Sequence, residues 1–340
     1  MFRDEVKTGS SDPVFLCLRF ISLALLFLVS GCSVTKSQPP THLLSGVHPG
    51  GAQRIAFSPS GRLLASGGLH GEVIIWSVGS GMEQRRLPAH RSRVQGLAWQ
   101  DELHLLSVDR TGELRRYHVG TSDVVSRFFP GPVRAMKIST DRRYVLLGQA
   151  NRVLRVNTGS LGVEAQGEIG GRIISVAVDA GGGQVAVSTA DGRVLVGDRD
   201  LSHWRELERP SSDANDLHFS ADGSRLLAGG WFRLWVWDVT SGVLEPRPTA
   251  HLGQVISVDI NPDKQTWLTL GRQTDSSLYL IDAQSNRILR RLQAHNLCGW
   301  QARFSPDGRY AASAGEEGSI HLYDMKAPYR PVTVWGEESE

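Results

Sequence analysis

One apolar position recurs along the chain at intervals of 42, 39, 40, 41, 41 and 44 residues: Phe57, Trp99, Ile138, Val178, Phe219, Ile260 and Phe304. In four of these units a histidine stands nine residues earlier, at His48, His90, His251 and His295. A period near 40 residues with several short strands per unit is the signature of a propeller blade or a related repeat array. The unit spanning residues 295–324 shows why. Three apolar runs, at 302–304, 310–314 and 320–323, are separated by Ser305-Pro306-Asp307-Gly308 and by Gly315-Glu316-Glu317-Gly318. Proline presets φ, aspartate bonds its own backbone and glycine accepts positive φ, so both segments are tight turns. Three strands so joined make a small antiparallel sheet that is marginal alone and needs neighbours to cover its faces. Periodicity is near two throughout, turn residues recur every 8–12 positions, and no helix of consequence is visible.

The segments FSPSGRLLASGGLHGEVIIWS (57–77), FSADGSRLLAGG (219–230), LWVWD (234–238) and FSPDGRYAASAGEEGSIHLYD (304–324) resemble the WD-repeat β-propellers. The pairs Ala89-His90, Ala250-His251 and Ala294-His295 stand where that family carries Gly-His. The resemblance covers residues 42–335 and implies an all-β fold, a seven-bladed β-propeller of four-stranded antiparallel blades. In that family a terminal strand completes the last blade. Two segments could do so here, 42–47 (HLLSGV) and 331–335 (PVTVW). The family's blades often carry a His, a Ser or Thr, an Asp and a Trp tied together. Here the Asp position holds His70, Thr111 and Glu317 in blades one, two and seven. The Trp position holds Tyr117, Gly197, Ile281 and Tyr323. Blade six has His251, Thr269 and Asp275 without the Trp. No complete tetrad is expected, and stability is expected to come mainly from sheet packing.

The N-terminal 31 residues stand outside the repeat. Residues 20–29 (FISLALLFLV) are apolar apart from Ser22, follow Arg19, and are too short for a bilayer span of about 20 residues. They fit a signal-peptide apolar region. Val29-Ser30-Gly31-Cys32 resembles a bacterial lipobox, which implies cleavage before Cys32 and lipidation of Cys32; an ordinary signal peptide or an anchor helix are the alternatives. The expected organisation is a signal peptide at 1–31, a lipidated Cys and tether at 32–41, and a propeller at 42–340. The tether, SVTKSQPPT, reads as an extended linker. The resemblance places the chain at the bacterial cell envelope, on an outer membrane facing the periplasm. Of Cys17, Cys32 and Cys298, only Cys298 would keep a free thiol, and no intramolecular disulfide could form.

Chemistry is sparse. A formal charge of +2 argues against a nucleic-acid surface. No H-E-x-x-H, C-x-x-C, calcium-loop or G-x-S-x-G pattern occurs, so no metal, cofactor or catalytic residue is assigned. The Gly181-Gly182-Gly183 turn precedes no helix and is no phosphate cradle. Arg91 and Arg93 fall in the loop before the first strand of blade two, and Arg110, Arg134 and Arg172 in comparable loops of blades two to four. In WD-repeat proteins that face is the one most used for binding. An arginine-rich sector there suits an acidic partner; scattered solubilising charge is the alternative. Trp231 lies in a turn, open to a surface contact, whereas Trp235 and Trp237 share one strand face and are expected to pack between blades. The function expected is a non-catalytic, lipid-anchored interaction scaffold for envelope proteins, monomeric within a complex. The competing reading is a lactonase-like or hydrolytic enzyme with its site in the central channel, which would need a central cluster of Asp, Glu, His or Asn; none is visible in the sequence.

Overall fold

The computed structural model describes residues 37–328. Seven four-stranded antiparallel sheets make up the described chain; six blades pair their strands in sequence order from the innermost outwards, and the seventh takes its outermost strand from the N-terminal side of the chain. The innermost strands are Ala52–Phe57, Val94–Trp99, Val133–Ile138, Ile173–Val178, Asn215–Phe219, Gln254–Ile260 and Gly299–Phe304. The recurring apolar position of the sequence is the last residue of each of them. Every innermost strand also carries a register shift near its start, such as that between Ala52 and Arg54 or between Val133 and Ala135. Such bulges re-aim the side chains that follow.

Blade one shows how composition sets the layers. Its third strand, Val73–Ser77, is nearly all apolar and buried, because a neighbouring blade covers each face. Its fourth strand, Glu83–Leu87, reads EQRRL and is exposed except for Leu87. Between the first two strands the chain reverses at Gly61, with φ of 71°, and the equivalent Gly308 of blade seven has φ of 67°. A side chain is disfavoured in that left-handed region. Blades three and six place Arg142 (φ 58°) and Lys264 (φ 62°) in the same slot, a local cost that makes their turns hard to recognise from sequence.

Ring closure resolves the choice between the two terminal segments. His42–Leu44 is the fourth strand of blade seven and pairs with Ile320–Asp324, with Leu44 opposite Ile320. Leu44 is buried with Ile320, Leu322 and Val78. The segment 331–335 lies outside the described residues. A second clasp precedes the closing strand. Gln38 bridges Leu292 on the outer strand of blade six, its N–H donating to Arg291 O at 2.8 Å and its carbonyl accepting from Gln293 N at 2.8 Å. Closure removes the free edges that a curled sheet would otherwise expose.

Polar ties inside the blades are more developed than the sequence implies. In blade one Trp76 Nε1 donates to Ser66 Oγ at 2.7 Å, and Ser66 Oγ lies 2.7 Å from His48 Nε2. His90 meets Ser107 at 2.5 Å, His251 meets Thr269 at 2.9 Å, and His295 meets Ser313 at 2.9 Å. The acids are present too. Asp275 and Glu317 bond His251 and His295 at 3.2 and 2.5 Å. In blades one and two the acid stands two residues beyond the expected position, at Glu72 (3.8 Å from His48 Nδ1) and Glu113 (3.5 Å from His90 Nδ1). Blade one comes nearest to the family's set, but its acid is Glu72 and makes no hydrogen bond to His48. No blade among the described residues completes the His, Ser or Thr, Asp and Trp tetrad; four buried His–hydroxyl ties are formed instead, and the one in blade one reaches its tryptophan.

Trp235 and Trp237 are buried together with Leu217, Leu226 and Val239, as their shared strand face requires. Trp237 Nε1 donates to Glu208 O at 2.8 Å. Cys298 is a partly buried free thiol.

Candidate functional site

The innermost strands run from an upper face, where each blade is entered, to a lower face, where the first hairpin turns. Loops before the first strands and turns between the second and third strands therefore share the upper face. Arg91, Arg93, Arg110, Arg134, Arg172 and Trp231 all belong to it. A cavity of about 330 Å³ opens along the axis among the innermost strands. Its lining includes the cationic side chains of Arg54, Arg93, Arg134, Lys137, Arg172 and Arg303, and two carboxylates, Asp213 and Asp216. Arg93, Arg134 and Arg172 thus converge on one cavity although 41 and 38 residues separate them in sequence. Arg110 joins them at the rim: its backbone N–H donates to Arg93 O at 3.0 Å, and its carbonyl accepts from Val133 N at 3.1 Å. Arg91 is exposed on the same face but does not line the cavity.

The upper part of the cavity carries an excess of arginines over its one carboxylate, Asp213. Arg93, Arg110, Arg134, Arg172 and Arg272 form no ion pair among the described residues. Burial, and then Arg110, Arg134 and Arg272, push the Arg93 guanidinium below its ordinary value. Burial, Arg172 and Arg110 do the same to Arg134. Arg272 is the last residue of the second strand of blade six, at the strand-to-turn junction where Arg110 stands in blade two, and its Cζ lies over the Trp300 ring at 3.7 Å from the centre. Stacking of this kind fixes the guanidinium plane while leaving its edge free to donate. Trp300 lines the cavity and Arg272 packs on its ring; neither was singled out in the sequence. The shared junction was the signal for Arg272; Trp300 becomes meaningful only once the ring closes.

Deeper in the channel the charges are paired. Arg303 donates to both oxygens of Asp216, at 2.7 and 2.8 Å, and to Ser257 Oγ at 3.0 Å. Burial opposes the charge of Asp216, yet Arg303 and His218 hold it well below the usual carboxylate range. His218 sits 3.4 Å from Asp216 and from Asp259, and 3.1 Å from Lys137 Nζ. Burial, helped by Arg303, pushes Lys137 down to about 8. Asp259 accepts from Phe304 N at 2.8 Å. The sequence showed no central cluster of Asp and His, and the structure corrects this. The residues lie at strand positions one or three before the recurring apolar position, which point to the axis. Their hydrogen bonds are directed at one another, so the cluster ties blades three, five, six and seven together below the cavity.

Trp231 is 37% exposed and lies against Phe232, itself 54% exposed, with ring centres 5.7 Å apart. Leu252, 72% exposed, is next to Gly253, whose carbonyl accepts from Phe232 N at 2.9 Å. Trp231 N donates to Ser212 Oγ at 3.1 Å, beside the cavity-lining Asp213. The rim therefore has an apolar shoulder adjoining its basic mouth.

Two groups bring three metal-ligating atoms within 4.8 Å of one another: His295, Glu317 and His321, and His90, Asp109 and Glu113. Both ring nitrogens of His295 are already bonded, to Ser313 and Glu317. Asp109 Oδ1 accepts from Thr111 N, Thr111 Oγ1, Gly112 N and Glu113 N within its own turn. Both groups do structural service in their blades.

The WD domain, G-beta repeat family matches residues 40–77 and 286–324, the first blade with the closing strand and the last. WD domains are generally non-catalytic interaction scaffolds, which agrees with the expectation of a non-catalytic chain. Protein tipD of Dictyostelium discoideum is 25% identical over 282 residues, 79% of this chain and 39% of that protein. Autophagy-related protein 16 of Arabidopsis thaliana is 26% identical over 164 residues, 44% of this chain and 31% of that protein. Small ribosomal subunit protein RACK1y of rice is 30% identical over 107 residues, 30% of each chain. The chain spans well under half the length of these curated relatives. These and further relatives, from rat, Xenopus laevis and Caenorhabditis elegans, are eukaryotic, and none is named as a lipoprotein or envelope protein. That finding overturns the bacterial lipoprotein reading, and with it the lipid-anchored envelope function and the outer-membrane location. Cys32 and the leader lie outside the described residues. Among the described residues no helix is long and apolar enough to cross a membrane.

Proposed function

We propose that the chain is a protein-binding scaffold that engages an acidic partner segment with its upper face. The observation that carries this reading is the convergence of Arg93, Arg134 and Arg172 on one axial cavity without ion-pair partners, beside the exposed Trp231, Phe232 and Leu252. A basic mouth steers an acidic chain and sets its register, while an apolar shoulder supplies the area that slows dissociation. Loops on a rigid propeller hold these groups in place before the partner arrives, which lowers the ordering cost of binding.

The test is face-resolved photocrosslinking. A photoreactive amino acid replaces Arg91, on the upper face, or Leu103, exposed in the first hairpin of blade two on the lower face. Crosslinks to a defined acidic protein from position 91 and not from 103 are expected. Capture from 103 alone would reject the upper face as the binding surface.

A further inference from the structure

Seven outer strands form the rim of the propeller, and six of them are guarded against pairing with another chain. The strands of blades one and three read EQRRL and VEAQGE and carry charges. Those of blades four and seven have only three residues, Trp204–Glu206 and His42–Leu44. Pro246 and Pro248 interrupt the outer strand of blade five, and Gln38 occupies the edge of blade six. Short strands, charges, prolines and covered edges are the usual means of preventing edge-to-edge association. Blade two lacks these guards. Its outer strand, Val124–Phe128, reads VVSRF, is exposed along its whole length and pairs on one side only among the described residues. Its single charge does not guard the edge. Arg127 Nη1 donates to Leu161 O of blade three at 3.2 Å, and the guanidinium lies 5.5 Å from the centre of the Phe129 ring. Val125 and Phe128 are 52% and 59% exposed.

The backbone of this strand is laid out for a partner identical to itself. His118 N donates to Asp123 O and Phe129 N to Gly112 O, both at 2.9 Å, so the odd-numbered residues of the strand turn their backbone polar groups inwards to Glu113–His118. By alternation Val124, Ser126 and Phe128 direct N–H and C=O outwards, unpaired. An antiparallel register centred on Ser126 pairs all of them with a second copy. Val124 meets the second copy's Phe128, Ser126 meets Ser126, and Phe128 meets Val124, each facing pair exchanging both N–H···O=C bonds. The side chains agree with this register. Val124 against Phe128 is a favoured β-branched–aromatic pair and occurs on both sides of the centre, and Val125 comes opposite Arg127, so no like charges face each other. Self-complementarity of this kind is what a two-fold dimer requires of its contact. We infer that the chain self-associates as a two-fold dimer through the outer edge of blade two, Val124–Phe128, joining the two blades into one continuous antiparallel sheet. This departs from the monomer expected of the sequence. Antiparallel pairing inverts the second copy, so the two upper faces look in opposite directions. Five residues from each copy make a contact smaller than the roughly 1,600 Å² of a standard interface, so the dimer is reversible and depends on concentration.

The experiment is sedimentation velocity of the full chain at rising concentration. The mass is expected to climb from that of one chain, 37.2 kDa, towards twice that value, with half-association between about 10 and 100 µM. Ser126→Pro removes the central outward N–H at an edge position where proline is tolerated, and Phe128→Lys removes the aromatic partner and leaves a charge at the edge. Each is expected to weaken association at least about tenfold, with the circular dichroism of the monomer unchanged. A short bismaleimide then locates the contact. Ser126→Cys is expected to yield crosslinked dimers above the background of the unaltered chain, whereas Gln84→Cys, exposed in the outer strand of blade one, is not. A single-chain mass at every concentration up to about 500 µM would overturn the dimer. Self-association that Ser126→Pro and Phe128→Lys leave unchanged, or that crosslinks equally from position 84, would overturn blade two as its site. Ser126→Cys joined only to a different protein would give the edge another occupant and overturn the second copy. None of these outcomes depends on the upper-face reading.

Discussion

Ser66 shows what a single hydroxyl does in this fold. It accepts from Trp76 Nε1 and, with its own proton free, can donate to His48 Nε2, so one atom links three strands' worth of side chains. Ser66→Ala would leave two buried polar groups unpaired and should cost about 2–3 kcal/mol, read as a lowered urea midpoint with an unchanged slope. A change below about 0.5 kcal/mol would show that the tie contributes nothing net. The same burial makes these histidines sensitive to acid. Burial pushes His48 and His90 down to about 4 against an unfolded value near 6.5. Between those limits the unfolded chain binds more protons than the native one. Stability is therefore full above pH 6.5 and falls as pH drops towards 4, by up to about 3 kcal/mol for each histidine. Thermal melts across that window should show the fall, and His90→Gln should flatten it. The histidines of these ties, and Thr269, were legible in the repeat; Ser66, Ser107 and Ser313 were not singled out. Glu72 and Glu113 were not, because each stands two residues beyond the family position and reaches back by virtue of its longer side chain.

Elements were legible wherever turn chemistry was explicit. The Ser-Pro-Asp-Gly and Ser-Ala-Asp-Gly turns mark blades seven and five, whereas blades three and six hide theirs behind Arg142 and Lys264. Lys264 has a left-handed backbone and no ion pair or side-chain hydrogen bond, so Lys264→Gly should stabilise the protein by up to about 1 kcal/mol. Gly308→Ala in the equivalent turn should destabilise it by a similar amount, measured in the same urea titration. The closing strand was one of two equally readable segments, since pairing across 276 to 280 residues leaves no local trace. Leu44→Asp puts an unpaired charge between Ile320 and Leu322. Amide hydrogen exchange of Ile320–Asp324 should then accelerate while the middle blades keep their protection, because loss of the outer strand exposes the edge of blade seven.

At the scale of the molecule, ring closure turns scattered residues into a site. Arg93, Arg134 and Arg172 were recognisable because each occupies the approach to a first strand or its opening positions, a slot that the repeat itself defines. Their convergence on a cavity, and the part played by Arg272 and Trp300, depend on blade six and blade seven coming round to blade two. No sequence separation encodes that meeting. The axial cluster of Lys137, Asp216, His218, Asp259 and Arg303 was missed for the same reason: each residue is a single polar intrusion in an apolar strand until the strands stand side by side. Burial holds Lys137 near 8, so the axis loses positive charge as pH rises through that value. Affinity for an acidic partner should weaken modestly between pH 7 and 9, and Lys137→Met should remove the dependence.

The most direct measurement is quantitative crosslinking with mass spectrometry from the native cell, comparing the unaltered chain with Arg93→Glu/Arg134→Glu. Both chains should fold alike, since neither arginine carries an ion pair, and a defined set of acidic proteins should be captured by the first and lost by the second. The same set captured in equal yield by both would contradict the basic upper face as the place where this scaffold binds.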